Sequence, residues 1–175
     1  MAAPEQAANL RRGLILALLV LVADQASKWW ILEVLDLPAR RNVPLIGGGD
    51  FGLDLTMVWN RGVTFGLLSG SAPWHAWALA ALAGAIALFL IRWMAKAENR
   101  RTALALGGIV GGAIGNVIDR ARFGAVVDFV DAYAWGWHWY VFNIADAAIV
   151  LGVVVLLIEA VTARPPATDR PGETA

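Results

Sequence analysis

The 175-residue chain contains no cysteine, which excludes disulfides, thiolate metal sites and a cysteine nucleophile. It has only two histidines, His75 and His138, less imidazole than a zinc or di-iron centre usually takes. It also lacks a charge of one sign. Lys+Arg and Asp+Glu number 14 each, so no basic excess is available to neutralise a run of phosphates, and nucleic acid is not an expected partner. Charge of any kind is scarce: 16% of residues carry it and 59% are apolar, against about 25% and 45–50% in soluble domains. Any catalysis therefore falls to carboxylates, hydroxyls, Lys or Arg, in a chain whose composition points to lipid.

What is present in quantity is long apolar runs. Four stretches, about 13–32, 74–94, 102–118 and 143–161, approach the roughly 20 residues a helix needs to cross the hydrocarbon. Cations cluster at Arg11 and Arg12, at Lys96, Arg100 and Arg101, and at Arg164 and Arg170. Cations at span ends mark the cytoplasmic side, so both termini are expected there. Two excursions, about 36–72 and 119–141, then lie on the other face. Residues 165–175, PPATDRPGETA after Arg164, read as a disordered cytoplasmic tail. Residues 1–164 form a single membrane-embedded domain.

In the first excursion, Phe51, Leu53, Leu55, Met57 and Trp59 alternate with more polar neighbours, the period of a half-buried strand. The apolar side of a small sheet would rest on the bundle or the membrane. Trp135, Trp137, Trp139 and Tyr140 before the fourth span read as an interfacial aromatic belt.

A charge inside a span costs at least about 2.5–3.5 kcal/mol and needs a reason. Asp24 and Lys28 stand four apart on one helix face, as an orienting ion pair or part of a site. In the third span, Gly107, Gly108, Gly111, Gly112 and Gly115 form GxxxG pairs that admit a neighbouring backbone. Asn116, Asp119 and Arg120 continue the stripe that starts at Gly112, with Asp119, Arg120 and Arg122 open to reading as a solvated patch. Asp128 lies among Val126, Val127 and Phe129, and Asn143 and Asp146 share a face at i, i+3, with Asp146 about one turn inside the fourth span. Two poorly hydrated carboxylates cannot both ionise cheaply, so a pair would share a proton. That arrangement suits aspartic-protease chemistry and equally a proton-coupled transporter in which Asp24, Asp119 and Asp146 form a relay.

Five blocks add a resemblance: DQASK at 24–28, WNRGVTFG at 59–66, GGAIGNVIDR at 111–120, VVDF at 126–129 and FNIADAAI at 142–149. In this order they resemble lipoprotein signal peptidases, the bacterial signal peptidase II family. Val63 and Thr64 depart mildly from the smaller residues usual after the NxG element. The resemblance implies an all-α membrane protein of four transmembrane helices, with a small periplasmic β-sheet (β-cradle) and a short periplasmic helix. It implies an aspartic endopeptidase of the bacterial inner membrane, working from the periplasmic side. Its substrates would be diacylglyceryl-modified prolipoproteins, cut just before the lipid-bearing cysteine. Asp128 and Asp146 are then the catalytic dyad, and Asp24, Asn60, Asn116, Asp119, Arg120 and Asn143 supporting residues. Membrane lipids are the other expected partner, with the chain acting as a monomer and needing no metal or organic cofactor.

Overall fold

The computed structural model describes residues 3–62 and 73–162; the tail, Arg164, Val63 and Thr64 lie outside them. Helix α1 (Ala3–Trp29) widens into a π-helical turn at Trp30–Val34, and a four-residue helix α2 (Leu37–Arg40) follows. Strands β1 (Asn42–Gly47) and β2 (Phe51–Asn60) come next. Then run α3 (Pro73–Met94), α4 (Arg100–Phe123), β3 (Val126–Ala134), β4 (Trp137–His138) and α5 (Ile144–Thr162). Four of the helices are long and apolar enough to cross a membrane. The strands form one antiparallel sheet in the order β1-β2-β3-β4.

Helix α4 is the axis of the bundle: 72% of its most apolar window is buried, against 11–28% in the other three. Its glycines make this possible. A Cβ on Gly107 or Gly111 would strike the backbone of α1 at Gly13 or Ala17, and one on Gly112 would strike α5 at Ala145. The small-residue stripe thus faces two neighbours, and both approach to backbone contact. Leu14, Leu18, Leu82, Phe89, Leu151 and Leu157 point outward from α1, α3 and α5, the surface that acyl chains cover.

The ends of α4 are set by local chemistry. Asn99 accepts the Thr102 N–H at 2.7 Å as N-cap, and Gly124, at φ 68°, stops the helix and sends the chain into β3. The helix therefore continues to Phe123, and Asp119 and Arg120 stand in its closing turns.

Strand β2 occupies the expected segment, but its faces differ from the expected alternation. Leu55 pairs with Val130 and Val58 with Asp128, so a β-bulge lies between them. Opposed residues of an antiparallel pair share a face. The face of Leu53 and Leu55 passes to Val58 and Asn60 beyond the bulge, and Trp59 turns the other way. An extra residue thus places Asn60 beside Asp128.

Candidate active site

The site forms where the sheet meets the ends of α1, α4 and α5. Helix α5 starts with a reciprocal cap: Asn143 Oδ1 accepts the Asp146 N–H at 2.9 Å, and Asp146 Oδ2 accepts the Asn143 N–H at 3.4 Å. Asp146 therefore stands in the first turn of the helix, three residues past its Asn143 cap. The cap holds its carboxylate at the mouth of the bundle.

Asp146, Asp128, Asn60, Asn116 and Arg120 line one cavity of about 550 Å³, walled also by Trp139, Tyr140 and Phe142. Each carboxylate has its own amide donors. Asp128 accepts from Asn60 Nδ2 at 3.0 Å and from Asn143 Nδ2 at 2.7 Å; Asp146 Oδ1 accepts from Asn116 Nδ2 at 2.8 Å. Arg120 donates to the Gly62 carbonyl at 3.1 Å, tying the end of β2 to α4. Burial, with the nearby charge of Asp146 added, pushes the Asp128 carboxyl up to about 7, although Asn60, Asn143 and Lys28 pull it back.

Asp24, Asp119 and Asn143 do not line the cavity; they are buried behind it. Asp24 Oδ1 accepts the Ala145 N–H at 3.0 Å and so also caps α5. Asp119 Oδ2 accepts the Val127 N–H at 3.1 Å, fixing the strand beside Asp128. Asn143 Nδ2 reaches Asn116 Oδ1 at 3.2 Å as well as Asp128, joining the two halves of the site.

A buried cation stands at the centre of this network. Lys28, 2% exposed, bridges Asp24 Oδ2 at 2.8 Å and Asp119 Oδ2 at 2.7 Å, and donates to Asn116 Oδ1 at 3.3 Å. Gln25 donates to Asp119 Oδ1 at 3.0 Å and Asp24 Oδ2 at 3.1 Å. The i, i+4 spacing pointed to one of these contacts; those to α4 span some ninety residues of sequence. Asp119 is accordingly no solvated patch with Arg120 and Arg122. Arg122 instead lies over the Phe123 ring. Asp131 is buried in β3 and bonds Thr56 Oγ1 and His138 Nδ1, each at 3.0 Å. The acids gather at one end of the bundle, not through its depth as a transporter relay requires.

Comparisons with known proteins agree over most of the chain. The model of the family described as signal peptidase (SPase) II matches residues 16–162. A lipoprotein signal peptidase of Methylobacterium sp. (strain 4-46) is 48% identical over 161 residues, covering 91% of this chain and 95% of the relative. Another, from Methylorubrum extorquens (strain PA1), is 47% identical over 164 residues, covering 93% and 94%. A bacterial membrane enzyme solved by the in meso method at 2.3 Å superposes with a TM-score of 0.73 at 26% identity, covering 93% of this chain and 94% of that one.

Proposed function

The chain belongs to the signal peptidase II family, and on that premise we propose that Asp128 and Asp146 are the dyad of an aspartic endopeptidase acting on diacylglyceryl-modified prolipoproteins. The observation that carries this reading is the shared cavity. Two carboxylates held by separate amide donors face it together, where burial lets the pair keep one proton near neutral pH. The ionised member takes a proton from water as the water attacks the scissile carbonyl. The protonated member donates to the carbonyl oxygen, giving a gem-diol; return of a proton to the departing amide nitrogen then breaks the C–N bond. Water and the two carboxyls are sufficient for these steps.

Asn60, Asn116 and Asn143 hold the carboxylates; Asp24, Asp119 and Arg120 hold the elements that carry them. The cavity opens where the apolar helix surfaces meet the sheet, which suits a substrate whose lipid stays in the bilayer while its peptide reaches the acids. The cut falls just before the lipid-bearing cysteine. The cation clusters at the opposite helix ends support an inner-membrane enzyme with cytoplasmic termini and a periplasmic site. The chain works as a monomer among membrane lipids.

The test is cleavage of a diacylglyceryl-modified prolipoprotein peptide by reconstituted protein. The parent is expected to cut before the modified cysteine, and folded Asp128→Asn and Asp146→Asn each to lose at least about a thousandfold in turnover, the scale of losing general acid–base catalysis. Cleavage retained by both variants overturns the dyad.

A further inference from the structure

A second cavity lies on the other side of α5 from the carboxylates. This groove of about 370 Å³ is walled by Leu16 and Val20 of α1, Leu104, Ala105 and Gly108 of α4, and Leu151, Gly152 and Val155 of α5, and Arg101 lines it too. From Arg101 to Gly108 it follows α4 for about 10 Å at 1.5 Å per residue. We propose that it binds one anionic phospholipid, an acyl chain lying in the groove and the phosphate on Arg101.

Gly108 differs from its fellow glycines. A Cβ there would meet only the Ala148 carbonyl oxygen, at an ordinary 3.5 Å, whereas Cβ atoms on Gly107, Gly111 and Gly112 would strike backbone. Helix contact thus explains those three, and Gly108 serves to deepen the groove floor. The charge at its end is also unanswered. Arg100 and Arg101 occupy the first turn of α4, which has no acidic residue, although the partial positive charge of a helix start favours anions. Glu159 of α5 accepts from the Thr102 hydroxyl at 2.5 Å, and neither it nor Glu98 forms an ion pair with Arg101 among the described residues. An apolar trough ending in an uncompensated cation at a helix N-terminus complements a chain with a phosphate head.

Native mass spectrometry of the full chain, released from nanodiscs holding equal phosphatidylglycerol and phosphatidylcholine, tests this. One phosphatidylglycerol is expected to remain bound, at least tenfold preferred over phosphatidylcholine. R101Q loses that preference and R101K keeps it; R100Q, altered outside the groove, also keeps it. G108L loses retention of both lipids by filling the floor. Equal retention of the two lipids by the parent, or unchanged preference in R101Q, overturns the proposal. So does a dimer that buries the groove.

Discussion

At the scale of the residue, the site separates carboxylates that meet the cavity from carboxylates that neutralise a cation behind it. Asp24 and Asp119 are both buried against Lys28, and removing one partner of a buried ion pair leaves the others uncompensated. Lys28→Met, which keeps the apolar stem, is therefore expected to destabilise by about 3–5 kcal/mol. Thermal unfolding in detergent checks this, and an unchanged Tm contradicts it. Asp128 behaves otherwise. With its carboxyl pushed up to about 7, the pair holds its single proton up to that pH and loses it above. Proteolytic kcat/KM should fall on the alkaline side with a midpoint near 7, by about tenfold per pH unit beyond it. A flat profile from pH 6 to 9 would show that the shared proton is not needed. Lys28 was visible in sequence only as the partner of Asp24, because its other contacts depend on where α4 lies beside α1.

At the scale of the element, the glycine stripe of α4 decides how near its neighbours come. Gly112 meets the Ala145 backbone at the start of α5, two positions from the cap that holds Asp146. A side chain there must push the α5 terminus outward. Gly112→Val is expected to lower both Tm and turnover, whereas Gly108→Ala has room and gains helix propensity of up to about 1 kcal/mol. Paired unfolding and cleavage assays on the two variants measure the contrast; equal effects would mean that stripe position is irrelevant. The helices, the strand segment and the glycine contacts were legible because each follows from local periodicity. The faces of β2 were not. A bulge between Leu55 and Val58 reverses the alternation, and nothing in PLIG…FGLDLTMVWN marks the extra residue, which is defined only by pairing with β3.

At the scale of the molecule, the cost of keeping Asp128 in the site appears in the stability of the whole fold. Its carboxyl titrates near 7 when folded, against an ordinary 3.8, so between those values the folded chain binds the proton more tightly than the unfolded chain. Stability from this group is fully present below about 3.8 and is lost as pH rises through 7. Three units correspond to on the order of 4 kcal/mol as a ceiling, lowered by any water that enters the cavity. Asp128→Asn removes the titration while keeping the size. The Tm of the variant minus that of the parent should therefore increase from pH 4 to pH 8, whatever its offset at the acidic end, because only the parent must ionise a buried acid. Scanning both proteins in one detergent across that range reads the coupled titration of Asp128 and Asp146, since the titrating groups outside the pair are common to both. A difference that stays constant with pH would place the carboxyl in a hydrated environment. The buried, proton-sharing pair would then have to be abandoned along with the neutral-pH limit on turnover.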